Sequence, residues 1–516
     1  MFLLSRLDQS RDNTKNKYAF IALLSSSATL TLMFKLFTTT DTATPLFPAV
    51  TLFNSESREA ETFEPLSKKE VRLYSCGPTV YDYAHIGNLR AYVFADTLKR
   101  TLLYNGYNVN HTINYTDFGH LVSDGDTGED KMMKGLKREN MEVSLESMRL
   151  LSDKFIEAFE QDMDSLNALA PTQYARASEY VTEQIKLIQT LEEKGYTYTT
   201  SDGVYFDISK FPTYGRLGKI NVDELRSGAR VEENSEKKHP ADFAVWKNGD
   251  LGWDSSWGKG FPGWHIECSA MAFATLGKQI DIHTGGVDNM PTHHNGEIAQ
   301  CESATGKQFS KYWMHSEHIQ IQDEKIAKSE GNGIILTDLI EKGYTGADYR
   351  YWLLQSHYRS QVNFSFEALD AAKQGLTRLK RLVFEEWADE RGKIVEGKQL
   401  EIVTAINNDL DTPKVIAMMH DISKDTELTP GERKALILEC DAVLGLGLSD
   451  DPEEGRRSLG HVALTSLPQN IMELIDQREA ARIARNWTEA DRLRDAIILA
   501  GYTLEDSSDG PKVTKQ

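Results

Sequence analysis

An apolar strand, a helix and a second strand follow one another early in this chain, and they constrain its fold more than any other feature. Val71–Cys76 (VRLYSC) is a short β-rich run that a Gly-Pro pair interrupts. From about Asn88 the segment LRAYVFADTLKRTLLYNG repeats apolar residues at helical spacing, and Gly106 ends it. Val109–Asn114 (VNHTIN) predicts the next strand. Two strands joined through a helix lie parallel, so the pattern predicts a βαβ unit in a parallel sheet.

The middle of the chain predicts further parts around this sheet. We expect an α/β fold in which a Rossmann-like catalytic domain occupies residues 48–345. Short strands with Gly and Pro after Tyr196 predict a connective subdomain inserted into it at about residues 165–258. After Gly343 the pattern changes to long amphipathic helices, which predict a helical bundle over residues 346–450.

The two ends of the chain differ from the middle. A helix over about Asn470–Ala500 and a polar tail predict a small C-terminal domain at residues 466–516. Residues 1–47 form an N-terminal extension in which the uncharged segment Tyr18–Phe34 has the minimum length of a membrane span. A signal peptide is disfavoured because no A-x-A site follows this segment closely. We favour a dispensable extension, with Met33 as the natural start, over an organelle-targeting or membrane-anchoring segment. The remainder is expected to be cytoplasmic.

The formal net charge of −20 and the four cysteines among 516 residues narrow the function classes. Such an acidic chain is not built to coat nucleic acid without specificity, because that kind of binding requires an excess of Lys and Arg. A specific RNA partner held by local basic patches is compatible with this charge. Four cysteines are too few for a disulfide scaffold, so they suit a reducing compartment and metal-binding or core positions.

Two short motifs are typical of phosphate binding. His85 and Asn88 (HIGN) fall where the predicted helix begins, and the N–H groups and dipole of a helix start favour phosphate. Lys325 and Lys328 (KIAKS) lie in a Gly-flanked loop and can stabilise charge that builds up on a triphosphate. Taken alone, the first motif is more often a helix cap and the second a solvated loop. Together and in this order they resemble the HIGH and KMSKS signatures of class I aminoacyl-tRNA synthetases, although Asn88 replaces the second histidine, and Ile and Ala replace Met and Ser.

Four further residues have the chemistry of a zinc site. Cys76 ends the first predicted strand, and Cys268 lies in GWHIECSAM. His293 and Glu297 are four residues apart, which places both on one face of a helix. Sulfur, imidazole and carboxylate are ligands that Zn²⁺ accepts in proteins. Spacing alone leaves His294 as an alternative to His293.

The segments SCGPTVYD, GWHIECSAM and DIHTGGVD, followed by HHNGE, resemble the cysteinyl-tRNA synthetase family over most of residues 50–516. The resemblance implies one Zn²⁺ per chain, ATP with Mg²⁺ as a substrate, L-cysteine and tRNA(Cys) as partners, and a monomer. It assigns the zinc ligands to Cys76, Cys268, His293 and Glu297. It assigns the cysteine pocket to Gly77, Thr79 and Trp264, and an adenosine contact to Asp288. It assigns ATP binding and catalysis to His85, Asn88, Lys325 and Lys328.

A metal in such a site has a chemical purpose, because cysteine and serine differ only in sulfur against oxygen. An apolar pocket separates near-isosteres weakly, whereas Zn²⁺ prefers a thiolate to a hydroxyl. The expected reaction is in-line attack of the cysteine carboxylate on the α-phosphorus of ATP, followed by transfer of the cysteinyl group to the 2′-hydroxyl at the 3′ end of the tRNA. His85 and Asn88 would hold the phosphates from one side, and Lys325 and Lys328 from the other. Of the two lysines, Lys328 is the stronger candidate for binding ATP.

Two alternative functions are also compatible with the sequence. A ligase that joins cysteine to a small amine would share the zinc and phosphate motifs, but it would lack most of the region after Gly343. A non-catalytic RNA-binding relative would not need the motifs. Trp487 is a candidate for stacking on a base or for anchoring the small domain. Basic residues on the C-terminal helices are candidate RNA phosphate contacts, equally compatible with ion pairs on solvated helices: Arg378, Lys380, Arg381, Arg478, Arg482, Arg485, Arg492 and Arg494.

Overall fold

The computed structural model describes residues 47–118, 131–220, 235–321, 324–325, 333–507 and 510–515. The strands in chain order are β1 (Thr51–Asn54), β2 (Glu59–Thr62), β3 (Val71–Ser75), β4 (Val109–Tyr115), β5 (Gln173–Arg176), β6 (Thr197–Thr200), β7 (Gly203–Phe206), β8 (Phe243–Ser255), β9 (Gly258–Pro262), β10 (Ile280–Gly286), β11 (Ser310–Ser316), β12 (Ile319–Ile321), β13 (Glu324–Lys325), β14 (Val362–Phe364), β15 (His461–Val462), β16 (Tyr502–Ser507) and β17 (Gly510–Lys515). The α-helices are α1 (Ile86–Tyr104), α2 (Lys131–Arg138), α3 (Leu145–Ser165), α4 (Val181–Glu193), α5 (Trp264–Thr275), α6 (Asn295–Thr305), α7 (Leu336–Glu341), α8 (Gly346–Leu354), α9 (Phe366–Arg381), α10 (Glu396–Ile406), α11 (Thr412–Lys424), α12 (Pro430–Leu444), α13 (Pro452–Ser458), α14 (Gln469–Ile483) and α15 (Trp487–Leu499).

Five strands form the parallel sheet that the βαβ pattern predicts. Their order is β11-β10-β3-β4-β5, and every neighbouring pair is parallel. The predicted strand, helix and strand are β3, α1 and β4, so the α/β fold class is confirmed. The chain runs from β3 to β4 and β5 on one side and returns to place β10 and β11 on the other. The direction of winding therefore reverses at β3, and open parallel sheets bind ligands at the carboxyl ends of the strands beside such a reversal.

A second, antiparallel sheet with the order β6-β7-β8-β9 interrupts the parallel one in the chain. It has a core of its own, in which Phe206 and Trp246 pack with Leu187 and Leu191 of α4. The predicted start of the insertion at about residue 165 needs a correction, because β5 still belongs to the parallel sheet. The chain leaves that sheet only after β5, and it returns through α5 and β10.

The helices after residue 345 pack as a bundle. Four of them, α8, α9, α11 and α12, begin at a residue whose side chain accepts a hydrogen bond from a backbone N–H of the first turn: Thr345, Ser365, Asp411 and Thr429. Leu369, Leu376, Leu436 and Val443 are buried in one core that continues into the region of the parallel sheet. Helix α12 packs directly on α1, so the bundle and the parallel sheet share this helix.

The end of the chain corrects two predictions. The single helix expected over about Asn470–Ala500 is two helices, α14 and α15. Arg485 between them has a positive φ of 58°, which ends the first helix, and the Asn486 side chain caps the second. The expected polar tail is instead the antiparallel pair β16 and β17, which buries Leu504 and Val513 against α14 and α15.

Three of the basic residues predicted as RNA contacts make ion pairs within this terminal unit. Arg478 is buried and donates to both carboxylate oxygens of Asp506, at 2.8 and 3.0 Å. Arg482 also donates to Asp506, at 2.7 Å, and Arg492 pairs with Glu489 at 2.6 Å. Arg478 therefore holds the hairpin on α14, and its contact with RNA stays a prediction that its burial does not favour.

The predicted N-terminal extension, including Tyr18–Phe34, lies outside the described residues up to position 46. Among the helices that the structure does describe, none combines the length and the hydrophobicity that crossing a bilayer requires.

A buried ionic network ties α1 to the bundle. Asp96 on α1 accepts hydrogen bonds from Arg100 at 2.8 Å and from Arg350 of α8 at 2.5 Å. The backbone N–H of Leu169 donates to its other oxygen at 2.7 Å. Burial alone raises the pKa of Asp96, but the two guanidinium groups outweigh it and lower the pKa below its ordinary value. Arg350 donates in addition to the carbonyl of Leu444, the last residue of α12.

Asp96→Asn should lower the free energy of unfolding by about 3–5 kcal/mol, because it leaves two buried guanidinium groups without their anion. Because the folded-state pKa of Asp96 is depressed, its contribution is present above its unfolded pKa and is lost as the pH falls through the folded value. Urea unfolding at neutral pH measures the change. The matched control is Glu453→Gln, which removes the exposed pair with Arg457 and should change stability by less than about 0.5 kcal/mol. Equal effects of both substitutions would contradict the prediction.

Candidate active site and metal centre

The start of α1 forms the first part of the site, directly beyond the carboxyl end of β3. His85 is the N-cap: its Nδ1 accepts from the backbone N–H of Asn88 at 3.1 Å, and Asn88 Oδ1 accepts from the backbone N–H of His85 at 3.3 Å. This reciprocal cap places the imidazole proton on Nε2 and leaves the Asn88 amide NH₂ as a donor. Both predicted phosphate-binding side chains are thus fixed at a positive helix end.

The segment that follows the lysine motif is held against this helix start. His85 forms an antiparallel bridge with Ile335, and the N–H of Ile86 donates to the carbonyl of Ile334 at 2.8 Å. On the other side of the motif, Lys325 ends β13, whose backbone is described but whose side chain is not. Lys328 lies outside the described residues, so the phosphate contacts of the two lysines stay predictions.

The structure brings the four predicted metal ligands together. Donor atoms of Cys76, Cys268, His293 and Glu297 all lie within 4.8 Å of one another. Cys76 follows β3 directly, Cys268 lies on α5, and Glu297 lies on α6. His293 lies not on that helix, as its spacing predicted, but in a wider π-helical turn, Met290–His294, that leads into it. The i,i+4 pair nevertheless forms, with His293 Nε2 3.2 Å from Glu297 Oε1.

A second set of donors overlaps the first. Its donor atoms also lie within 4.8 Å of one another, and they belong to Cys76, His283, His294 and Glu297. In this set His294 Nε2 lies 3.3 Å from the Cys76 sulfur. The two sets share Cys76 and Glu297 and differ in the other two members. The first set combines both thiols with one imidazole, whereas the second has one thiol and two imidazoles.

The ionisation states of the first set depend on one another. Burial and the neighbouring Cys268 raise the pKa of Cys76, so this thiol keeps its proton. A hydrogen bond from Cys76 lowers the pKa of Cys268 to about 6, against the effect of burial. Burial lowers the pKa of His293, but Cys268 and Glu297 raise it overall, to about 10. Burial raises the pKa of Glu297, but His283 and His293 lower it overall, to about 2. The cluster therefore favours thiolate and carboxylate around a positive centre, which in the protein alone is the His293 imidazolium.

The residues predicted for the cysteine pocket and for adenosine lie around this cluster. The N–H of Gly77 donates to Asn114 Oδ1 at 2.9 Å, and a Cβ at position 77 would lie 1.5 Å from the carbonyl oxygen of Asn114. Only glycine permits that approach. Thr79 forms a β-bridge with Thr116, the residue after β4, and the ring of Trp264 lies 4.6 Å from that of His293. Asp288 is exposed in the turn directly beyond the end of β10.

Sequence reasoning missed a layer of histidines behind the cluster. His283 Nε2 contacts Glu297 Oε2 at 2.9 Å, His265 Nδ1 contacts His293 Nδ1 at 3.1 Å, and His315 Nε2 contacts His294 Nδ1 at 2.8 Å. His265 and His283 lie inside the family segments GWHIECSAM and DIHTGGVD, so their position beside the predicted ligands is a signal in the sequence. His315, on β11, has no neighbouring motif that would have identified it.

The fold and the helix-start motif define a class of enzymes, and comparisons with known proteins agree. Residues 62–374 match the family model described as tRNA synthetases class I (C) catalytic domain. The solved structure of Mycobacterium tuberculosis methionyl-tRNA synthetase in complex with methionyl-adenylate shares the fold at a TM-score of 0.53, covering 78% of this chain and 95% of that one at 12% identity. The protein is thus a class I aminoacyl-tRNA synthetase by fold and family model.

Curated relatives show which family of class I synthetases the chain belongs to. The chain is 39% identical over 488 residues to the cysteine–tRNA ligase of Treponema denticola, covering 89% of this chain and 98% of the relative. It is 41% identical over 469 residues to cysteine–tRNA ligase 1 of Burkholderia lata, covering 90% and 96%. It is 40% identical over 489 residues to that of Chlamydia muridarum, covering 90% and 99%. The chain belongs to the cysteine–tRNA ligase family, as the resemblance of its motifs implied.

Proposed function

We propose that this protein activates L-cysteine with ATP and transfers it to tRNA(Cys), using one Zn²⁺ to select the cysteine thiolate. The observation that carries the zinc assignment is the cluster of two thiols, an imidazole and a carboxylate at the carboxyl ends of β3 and β10, beside the capped start of α1. Family membership over about 90% of the chain supports the reaction.

The donor set fits Zn²⁺. Two sulfurs, one nitrogen and one oxygen are a normal set of zinc ligands, and their charge pattern already surrounds a positive centre. Three of the four residues are buried, whereas Cys76 is only partly buried, which leaves the cluster accessible from the crevice. When bound, the ion supplies a soft electrophilic centre that accepts the substrate thiolate and binds a hydroxyl weakly.

The chain's own residues perform the rest of the selection. The Trp264 ring packs on His293 and forms one wall of the pocket. Bare backbone at Gly77 forms another wall, because this residue packs too closely on Asn114 to carry a side chain. Such a pocket holds cysteine with its carboxylate toward the start of α1. The choice between cysteine and serine then rests on the affinity for sulfur rather than on shape, since a pocket separates near-isosteres only modestly by shape.

Adenylate formation requires positioning and charge stabilisation rather than a covalent enzyme intermediate. The cysteine carboxylate attacks the α-phosphorus in line, and pyrophosphate leaves as Mg²⁺ salt. His85 donates from Nε2 and Asn88 from its amide to the phosphates, while Lys325 and Lys328 act from the opposite side. Donors fixed before ATP arrives stabilise the transition state without reorganisation, and the reciprocal cap of α1 fixes two of them.

The helical bundle and the terminal unit are proposed to bind the tRNA, with the protein acting as a monomer. Trp487, at the first position of α15, is 59% exposed, so its ring is available for stacking on a base. Transfer to tRNA distinguishes this function from a ligase that uses a small amine, which needs neither the bundle nor the terminal unit.

Cysteine-dependent ATP–pyrophosphate exchange on protein with quantified zinc tests the proposal. We expect exchange with cysteine, at least about 10⁴ lower kcat/KM with serine, and near one Zn²⁺ per chain. Added tRNA should be charged with cysteine, whereas small amines should not accept it. No exchange from folded, zinc-loaded protein would refute the enzyme assignment, and exchange without tRNA charging would favour the small-amine ligase.

Lys328→Ala should lower the rate of cysteine-dependent exchange by about 10²–10³, because a cation that stabilises developing phosphate charge is removed. The zinc content should not change, since the substitution lies outside the metal cluster. Pyrophosphate exchange and zinc analysis on the same preparation make the comparison. An exchange rate within about twofold of wild type would contradict the role of this lysine.

His293→Ala and His294→Ala should separate the two overlapping donor sets. We expect His293→Ala to lower zinc content well below one ion per chain, because it removes a direct ligand. His294→Ala should weaken zinc binding by about 10–100-fold or less, as loss of a supporting contact does. Zinc competition with a chromophoric chelator measures both. The control is His420→Ala, whose imidazole contacts Tyr351 in the bundle. A larger loss in His294→Ala than in His293→Ala would reverse the assignment.

A further inference from the structure

Arg90 is a buried arginine on α1 that the proposed reaction leaves without a role. It lies two residues after Asn88, and only 3% of its surface is exposed. Burial lowers its pKa to about 10, so the guanidinium still carries its charge at neutral pH. Keeping a charged group inside a protein is costly unless its donors are satisfied, so its hydrogen bonds indicate what it is for.

The Arg90 guanidinium donates to backbone carbonyls of two separate segments. Nη1 donates to His318 at 2.7 Å. Nη2 donates to Ser360 at 2.5 Å, to His357 at 3.1 Å and to Tyr358 at 3.3 Å. The guanidinium holds five N–H donors in a planar fork that reaches both segments, whereas the ammonium of lysine is a point charge with three rotatable donors.

Both segments lead into the small sheet that carries the first lysine of the KIAKS motif. His318 immediately precedes β12, and residues 357–360 precede β14. Strands β12 and β14 are parallel neighbours, and β12 pairs on its other side with β13, which ends at Lys325. Arg90 therefore sets where this sheet starts relative to α1.

The opposite end of the lysine motif is tied to the same helix. Ile334 and Ile335 follow the motif, and they contact the backbone of Ile86 and His85 at the first turn of α1. The segments on both sides of the motif are thus attached to α1, one through the Arg90 guanidinium and the other through backbone pairing. We therefore expect both attachments to affect how the lysine motif meets the start of α1.

We propose that Arg90 is a positioning residue for adenylate formation, which fixes the strand entering the lysine motif against the helix that begins at His85. The inference rests on the proposed function. Arg90 contacts neither the metal cluster nor the cysteine pocket, so it acts only on the steps that involve ATP. An arginine that merely stabilised the fold would change the free energy of unfolding without changing the kinetics of the folded protein.

The test compares Arg90→Lys and Arg90→Met with a matched buried arginine, Arg350→Met, in the zinc-loaded full-length protein. We expect Arg90→Met to lower kcat for cysteine-dependent pyrophosphate exchange by about 10², the cost of misplacing a catalytic group by about 1 Å. KM for cysteine and zinc content should stay within about twofold, and Arg90→Lys should recover part of the rate. Arg350→Met should lower the urea midpoint while keeping kcat within about twofold, because its partners Asp96 and Leu444 lie away from the motif.

A double-mutant cycle with Lys328→Ala decides whether Arg90 acts through the lysine motif. If it does, Arg90→Met should lower the rate of Lys328→Ala by less than about threefold, because the group it positions is already absent. Multiplicative losses, or Arg90 variants that lose stability but keep wild-type kcat, would overturn the inference. If Arg90→Met does not fold, Arg90→Lys carries the same cycle. Absence of exchange in the wild-type protein would instead refute the proposed function itself.

Discussion

The parallel pairing of β3 with both β4 and β10 is the constraint on which the rest of the structure depends. Because the winding reverses at β3, the connections that follow β3 and β10 lead to strands on opposite sides, and an open parallel sheet has its ligand crevice at the carboxyl ends of two such strands. Cys76 follows β3 directly, and Asp288 lies in the turn that follows β10, so both lie at this edge of the sheet. The helix that follows β3 begins in the same place, so its N-terminal N–H groups face whatever the crevice holds.

The site concentrates buried charge, and the surrounding residues are arranged to tolerate it. Glu297 is fully buried, yet contacts with His283 and His293 satisfy its two oxygens. The imidazoles of His293 and His294 contact further histidines, His265 and His315 respectively, and these contacts fix the orientation of both rings. A divalent ion would take the place of the positive charge that His293 otherwise carries, so the same layer serves the protein with or without metal.

The parts of this arrangement that have local signals could be predicted from the sequence. Strand β3, helix α1 and strand β4 follow from apolar periodicity, and Cys76, Cys268 and His85 follow from short motifs. Other parts have no local signal. The break between α14 and α15 depends on a positive φ at Arg485, which no glycine marks. The contacts of Arg90 go to backbone carbonyls more than 220 residues away, and a carbonyl is the same in every residue.

Helix α1 is the common frame of the molecule. Its first turn forms the phosphate-binding cap at His85, its second carries Arg90, and its third carries Asp96 in the ionic network with Arg350. Eleven residues of helix span about 16 Å and bend little, so these three attachments keep fixed distances from one another. The bundle, through Arg350, and the lysine-bearing sheet, through Arg90, are therefore positioned against one rigid element. This explains why the buried face of α1 carries a charged residue at two successive turns, Arg90 and Asp96. An apolar residue at either position would pack at lower cost, but it could not join segments so distant in the chain.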